Sequence, residues 1–285
     1  MSTAISRPSD LVDALATVDP DRMLTHTQRL CAPDFAGRRV GTEGHARAST
    51  FLAEQLRQPG WSVTTQEFPV TASVLDLTAL PTLTQIAVDG SVLRAFAHRT
   101  EFSEHPRSAP VPETREGPVV AFAEQTTKAG AWVMLEAVPQ GNDFTELATQ
   151  MASQGARGIL VPRYTNADGY LIKRITAASQ LPLPVLSVRA DLLPRLSGTR
   201  IQVQVPMVSH QPHGRNILAH LPGTDAQYAH APVLIGAHYD AMGDDPGGLR
   251  HPGATDNAAA VAVLLELATI LARMPTRPHR PIPVS

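Results

Sequence analysis

Cysteine, net charge and long apolar runs are all scarce in this 285-residue sequence. Its one cysteine, Cys31, excludes an internal disulfide framework. Because no histidine base neighbours Cys31 in the sequence, it is interpreted as a core or interface thiol rather than a nucleophile. The formal net charge of −2, with scattered arginines, gives no electrostatic reason to expect nucleic acid as a partner.

From the pattern of charged and apolar residues we expect neither a membrane segment nor a leader peptide. No apolar stretch approaches the length expected of a membrane span, and the start MSTAISRPSDLVDAL lacks the basic and apolar regions of a signal peptide. The sequence therefore predicts no membrane partner and a cytoplasmic location. At 43% hydrophobic and 18% charged residues, the chain is expected to bury one or two cores, most naturally as two domains.

Residues typical of a metal site are present near the C-terminal end. The apolar run 232–237 predicts a strand buried on both faces of a parallel sheet, and His238 and Asp240 follow it. Ligands bind outside the carboxyl ends of such strands, so these two side chains can point into one crevice. Asp256 comes after a Gly- and Asp-rich loop, just before a helix predicted over 258–274. Imidazole and carboxylate together suit zinc.

These residues also have structural interpretations. Alone, His238 is more often a hydrogen-bonded structural histidine, and Asp256 is more often a helix N-cap. A polar pair that ends a buried strand, followed by a Gly-rich loop and a carboxylate that opens an apolar helix, favours a metal site. Two ligands are fewer than the three or four that zinc sites use.

The strings GAHYDA and GATDN resemble motifs of the co-catalytic di-zinc aminopeptidase family, which includes bacterial leucyl aminopeptidases, aminopeptidase Y and glutamate carboxypeptidase II. The resemblance implies that His238 binds zinc, that Asp240 is the catalytic residue that orients it, and that Asp256 bridges two zinc ions. It also implies a cis peptide bond between Asp256 and Asn257. Thr255 and Ala259-Ala260 depart from the family motif but leave the ligand Asp256 in place.

Upstream segments extend the resemblance. Residues 30–68, with a Gly-Arg-Arg-x-Gly-Thr loop, and residues 214–223 resemble the family's N-terminal helix, loop and early strands. Apolar spacing predicts a helix over Glu43–Leu56, and a strand follows over Trp61–Pro69. The loop Gly37–Gly44 lacks the ending of a phosphate-binding loop, so an ordinary turn is favoured. The implied fold is a partial zinc-exopeptidase, a phosphorylase/hydrolase-like three-layer α/β sandwich.

Composition changes between residues 71 and 208, where short apolar strands alternate with Pro and Gly. A strand, an amphipathic helix over 144–154 and two further strands resemble a protease-associated domain. We therefore expect residues 1–70 and 209–285 to form the peptidase domain, with 71–208 as a β-rich insert. The insert is expected to shape substrate binding or bind a partner, or to have no role beyond stability.

The resemblance also implies residues that this sequence lacks. In the family a Glu-Glu pair follows the next strand; the first Glu is the general base and the second a zinc ligand. Here Arg277–Ser285 reaches that strand and includes Pro283, which is disfavoured in a central strand. Glu266, within the apolar helix, is interpreted as a helix-face residue. The expectation is a C-terminally truncated metallo-exopeptidase for peptide substrates, with little or no activity alone.

Two other hypotheses remain open. In the first hypothesis, the chain is a non-catalytic binding protein that keeps a peptidase scaffold. In the second, its metal site is completed by a partner chain or by dimerisation. A glutaminyl-cyclase-like activity with one zinc is less favoured, because such enzymes do not usually carry the insert.

Overall fold

The computed structural model describes residues 8–71, 74–123, 128–174 and 179–285. Its α-helices are α1 (Pro8–Leu15), α2 (Pro20–Leu30), α3 (Glu43–Arg57), α4 (Gly141–Ser153) and α5 (Ala259–Arg273). Its strands are β1 (Ser62–Pro69), β2 (Val74–Leu77), β3 (Thr82–Ile86), β4 (Val92–Ala95), β5 (Phe102–Glu104), β6 (Val111–Ala121), β7 (Trp132–Met134), β8 (Gly158–Arg163), β9 (Val185–Arg189), β10 (Arg200–Val205), β11 (Met207–His210), β12 (His213–Leu221) and β13 (Ile282–Val284). Short 3-10 segments occur at Pro33–Arg38, Leu193–Leu196 and Ala226–Tyr228, and a π-type turn occurs at Ala254–Ala258.

The described residues fall into two compact units. The first comprises those up to Thr71 together with Pro212–Asp244 and Gly248–Ser285. The second comprises those between Ala72 and Gln211, and it also includes Asp245–Gly247. The sequence places the insert at 71–208, and gives no signal that three residues of the later loop group with it.

The first unit contains an antiparallel sheet in the order β1-β12-β13. Before it, α3 begins where Thr42 accepts a hydrogen bond from the His45 N–H, and Gly60, at φ 99°, follows the end of the helix. The apolar residues of α3 recur at helical spacing and are buried, namely Ala48, Leu52, Ala53 and Leu56. The helix and strand predicted over 43–69 are confirmed.

Helices α2 and α5 pack against each other in this unit, and α5 supplies Val261, Leu264, Leu265 and Ala268 to its core. Glu266 is more than a helix-face residue: its side chain is 3% exposed and accepts two hydrogen bonds from the Arg22 guanidinium, at 2.7 Å each. A third comes from the backbone N–H of Asp19. The buried carboxylate of this otherwise apolar helix thus receives its hydrogen bonds from the beginning of α2, which offsets the cost of its burial.

The expectation of a strand buried on both faces at 232–237 is wrong. The segment is extended and makes one isolated parallel bridge, between Ile235 and Val284, while Leu234 is 66% exposed. Only the short strand β13 pairs with it among the described residues. Pro283 is tolerated there because its carbonyl oxygen still accepts a hydrogen bond from the Ile235 N–H. The strand pairing lacks only the backbone N–H that proline does not have.

The prediction that no stretch reaches membrane-span length also needs correction. Residues 254–273, which contain α5, are long and apolar enough to cross a membrane by length and composition alone. The core helix of a soluble protein passes the same test, and α5 lies against α2 and the core of the first unit. Its apolar character is explained by that packing.

The second unit contains an eight-stranded mixed sheet in the order β4-β3-β10-β6-β7-β8-β9-β5. Strands β6, β7, β8 and β9 are parallel neighbours, and α4 connects β7 to β8. The predicted helix over 144–154 is confirmed, although it begins earlier, at Gly141. Phe144, Ala148 and Met151 of α4 pack against Val133 and Ile159 of the parallel strands. The crossover helix thus covers one face of the sheet and begins at the carboxyl end of β7.

Candidate metal centre

The three predicted site residues come together in the first unit. His238 Nδ1 lies 3.3 Å from Asp240 Oδ1, and His238 Nε2 lies 3.2 Å from Asp256 Oδ1. The imidazole therefore has one carboxylate at each ring nitrogen. This placement separates two chemical roles, because only one nitrogen of a neutral imidazole carries a proton.

Zinc fits this donor set. When the proton is on Nδ1 it is donated to Asp240, and the Nε2 lone pair then faces an oxygen of Asp256. Two ligands about 2.1 Å from a tetrahedral zinc ion lie about 3.4 Å apart. The observed 3.2 Å between Nε2 and Oδ1 is close to that separation. His238 and Asp256 thus fit one ion as two of its ligands, with Asp240 behind the histidine.

No third ligand accompanies them among the described residues, which contain no group of three His, Cys, Asp or Glu placed to hold a metal ion. The side chains of His238 and Asp256 are 56% and 78% exposed. Both ligands are therefore open on their solvent side, where a further donor can approach.

Arg38 holds the backbone behind the two ligands. Its side chain is fully buried, and its guanidinium donates to the carbonyl oxygens of Tyr239 (2.7 Å), Pro252 (2.7 Å), Gly253 (2.9 Å) and Leu30. Tyr239 separates His238 from Asp240, and Gly253 lies three residues before Asp256. One guanidinium therefore ties both ligand-bearing segments together, and burial lowers the pKa of Arg38.

The loop that carries Arg38 has a left-handed backbone, with φ 43° at Ala36, 66° at Gly37 and 50° at Arg38. Left-handed non-glycine residues are costly and persist only when their surroundings fix them. Here the carbonyls of residues 36–38 accept hydrogen bonds from the backbone N–H groups of Asp244, Gly243 and Ala241. A Cβ at Gly37 would lie 2.7 Å from the His251 carbonyl oxygen, so glycine is required for this approach.

A second link joins the ligand segments directly, because the Asn257 side-chain amide donates to the His238 carbonyl at 3.2 Å. The peptide bond between Asp256 and Asn257 is cis, as the family resemblance implies. Asp256 has φ −130° and ψ 84°, outside helical values, so it precedes α5 without belonging to its regular turns. The expected place of Asp256 before the helix is confirmed.

His45 lies beside the site and was not singled out by sequence reasoning. Its ring stacks on Tyr239 at 4.8 Å between centroids, and burial lowers its pKa while the Asp240 charge raises it. Burial also raises the pKa of Tyr239, whose hydroxyl donates to the Arg215 carbonyl at 2.7 Å. A polar residue at a core position of α3 is the sequence signal for His45.

Arg38 was also missed as an individual residue, although its loop was recognised. The sequence pattern that could have indicated Arg38 is the Arg-Arg pair between two glycines. Arginine is rarely fully buried, so burial of this side chain was not expected. Cys31 lies nearby, half-buried against the core of the first unit, with its thiol 3.5 Å from the Pro252 carbonyl oxygen. It forms no disulfide. This position agrees with a packing role for the thiol.

Comparison with known proteins supports a peptidase relationship for part of the chain. Residues 216–284 match the model of peptidase family M28, and this segment contains His238, Asp240 and Asp256. No curated protein sequence matches the chain. The family match covers the candidate metal centre, and it leaves out the second unit apart from 245–247.

Solved structures show the fold. An aminopeptidase from Aneurinibacillus sp. strain AM-1 has a TM-score of 0.64 at 19% identity, over 93% of this chain and 61% of its own. A zinc aminopeptidase from Bacillus subtilis gives 0.66 at 17% identity, over 94% and 61%. A peptidase M28 precursor from Shewanella amazonensis SB2B gives 0.66 at 17%, over 97% and 65%. The chain has this mixed α/β fold, and it spans about three fifths of the length of these proteins.

Proposed function

We propose that the chain carries part of the zinc site of a metallo-aminopeptidase, which removes N-terminal residues from peptide substrates by zinc-dependent hydrolysis. The observation that carries this proposal is His238, with Asp240 at Nδ1 and Asp256 at Nε2. The match of residues 216–284 to peptidase family M28 and the fold shared with zinc aminopeptidases support it.

The protein's own residues divide the work. Asp240 holds the proton on Nδ1 and fixes the ring, which leaves the Nε2 lone pair for the metal. Asp256 directs one oxygen toward His238, and the two side chains would together hold zinc. Zinc bound there would supply a Lewis acid that polarises the scissile carbonyl and lowers the pKa of a water molecule.

The proposal assigns no general base to the described residues. Glu266 does not fill this role, because both of its carboxylate oxygens accept hydrogen bonds from Arg22 and Asp19. With two ligands and no base at the site, the 285 residues alone are proposed to have little or no peptidase activity.

Completion of the site by a partner chain is the alternative favoured by the exposure of His238 and Asp256. It predicts that zinc promotes association of the purified chain, which gel filtration with and without zinc would detect. The association should be absent in His238→Ala. For the second unit we propose a role in shaping substrate binding or in binding a partner, without catalysis. This proposal depends on the resemblance of its strand-helix-strand pattern to a protease-associated domain.

Zinc binding tests the proposal most directly. Zinc per chain would be measured by elemental analysis after equilibrium dialysis of the wild type, His238→Ala and Asp256→Asn. His230→Ala is the matched control, because His230 is an exposed histidine of the same unit. We expect more zinc in the wild type and in His230→Ala than in the other two variants, because two protein ligands hold the ion weakly and loss of either removes the site.

Aminopeptidase assays on aminoacyl-nitroanilides would run in parallel. Equal zinc content in wild type and His238→Ala would show that the proposed site is wrong. Turnover by the purified chain would instead contradict the expected inactivity, and would show that a base is supplied.

A further inference from the structure

A cleft of about 720 Å³ lies in the second unit, at the carboxyl ends of the parallel strands β7 and β8. Glu136 follows β7 and Arg163 ends β8, and both line the cleft. Arg107 and Arg174 line it as well. In open sheets with parallel strands, ligands bind at this end. The position and the volume are those of a small-ligand site.

The three arginines have no carboxylate partner in the described part of the chain. Arg107 donates to the Ser179 carbonyl at 2.8 Å and to the Thr145 hydroxyl at 2.7 Å. Arg163 donates to the Ile172 carbonyl at 2.6 Å. These neutral acceptors hold two of the guanidinium groups in place without neutralising their charge. A buried or half-buried guanidinium ordinarily binds a carboxylate or phosphate group, often in bidentate geometry.

The cleft has an excess of positive charge, because three arginines line it against one carboxylate, Glu136. His105, also in the lining, adds no charge at neutral pH. Burial and the positive charges of Arg107, Arg163 and Arg174 lower its pKa to about 4. Burial and the charge of Arg174 lower the pKa of Arg163 too. The cations therefore repel one another, and a bound anion would relieve that repulsion.

Helix α4 reinforces this potential. Its first residue, Gly141, and its N-cap residue, Gln140, line the cleft, and Gln140 gives the first turn no side-chain hydrogen bond. The N-terminus of a thirteen-residue helix adds partial positive charge and unpaired backbone donors. Apolar surface is also present, since the ring of Tyr164 lines the cleft and is 82% exposed.

We propose that this cleft is an anion-binding site that takes a carboxylate or phosphate group carried by a small ligand, with Arg107, Arg163 and Arg174 as its binding residues. The aromatic ring of Tyr164 would contact the rest of the ligand. The site is independent of the proposed zinc chemistry, because all its residues belong to the second unit.

The test uses the full chain and two probes, inorganic phosphate and N-acetyl-glutamate, with N-acetyl-glutamine amide as the uncharged comparison. Isothermal titration at low salt should give saturable binding of at least one anion, with a Kd of about 1 mM or tighter. Phosphate and carboxylate sources are distinguished by which probe binds more tightly. The uncharged amide should not bind.

Arg174→Gln is the first variant, because Arg174 is exposed and its loss should not disturb folding. We expect it to weaken anion binding about tenfold or more, since charged hydrogen bonds are lost. Arg163→Gln should act similarly, and Glu136→Gln should tighten binding a few-fold by removing a like charge. Arg195→Gln, an exposed arginine of the same unit outside the cleft, is the matched control.

Two outcomes would overturn the proposal. One is the absence of saturable binding of either anion by the wild type up to about 10 mM. The other is equal weakening by Arg174→Gln and Arg195→Gln, which would indicate that net charge alone attracts the anions. Circular dichroism of each variant would show whether a loss of binding reflects a loss of folding.

Discussion

The candidate metal centre and the arginine-lined cleft both lie where a segment in parallel pairing ends, yet their charges are opposite. The extended segment 232–237 is followed by His238 and Asp240. The carboxylates of Asp240 and Asp256 both face the His238 imidazole. Strands β7 and β8 end at a cleft with three arginines and one glutamate. The backbone arrangement therefore supplies a place for a ligand in each unit, and the side chains that follow the strand decide its charge.

The two sites also differ in how they are supported. The candidate metal ligands His238 and Asp256 are exposed, and the buried Arg38 behind them holds the backbone on which they lie. In the cleft, arginines themselves face the ligand site and are held by neutral acceptors. An arginine is thus a positioning residue in one unit and a proposed binding residue in the other. Variants that separate these two uses test the comparison.

The largest expected effect is that of Arg38→Met. This change removes the guanidinium that donates to four carbonyl oxygens, of which those of Gly253 and Pro252 keep a second donor. Because the Arg38 side chain is fully buried and links three segments, we expect the change to destabilise the first unit by about 3 kcal/mol. Urea unfolding would be followed by the fluorescence of Trp61 in a Trp132→Phe background, because each unit contains one of the two tryptophans.

Arg47→Met is the control, because Arg47 is an exposed arginine on α3. Zinc binding should fall in Arg38→Met and persist in Arg47→Met, while anion binding by the cleft should persist in both. Unfolding of Arg38→Met at the wild-type urea concentration would contradict the supporting role.

A smaller effect, about 2 kcal/mol, is expected from Glu266→Gln, since it removes a charged partner from Arg22. Hydrogen bonds from Arg22 hold the pKa of Glu266 below its usual value of 4.5. A depressed carboxyl pKa stabilises the fold above the unfolded-state pKa, and this stability is lost as pH falls through the folded-state pKa.

Urea midpoints between about pH 3 and pH 7 would reveal this. Wild type should lose stability below about pH 4.5, whereas Glu266→Gln should start lower and lose less. Glu54→Gln, at an exposed position of α3, should follow the wild type. Parallel pH profiles for Glu266→Gln and wild type would rule out the linkage.

Asp240→Asn is expected to have the smallest effect on the free energy of unfolding and a clear effect on zinc affinity. Loss of the carboxylate that orients a ligating histidine typically weakens metal binding about 10- to 100-fold. Zinc titration with a competing chelator would measure the change, and titration of the cleft with whichever anion binds more tightly is the internal control. An unchanged zinc affinity would show that Asp240 does not act through His238.

Local sequence patterns predicted much of the fold. Helical spacing and a terminal glycine predicted α3, and the elements from β7 to β9 were foreseen as strand, helix and strands. The prediction fails at 232–237, where the apolar run predicts burial on both faces and most side chains are exposed or half-buried. An apolar run indicates that a segment favours burial. Whether other strands or helices cover both of its faces depends on distant parts of the chain.

The residue types of the candidate metal centre can be read from the amino-acid sequence alone, because His238, Asp240 and Asp256 stand in a recognisable spacing around a loop and a helix start. The contacts that hold these residues, and the position of the arginine-lined cleft, follow from the folded structure. Arg38 and Tyr239 are 201 positions apart, and the arginines of the cleft come from three separate segments. Helix and turn preferences act over a few residues, whereas contacts at such separations form only when the chain folds.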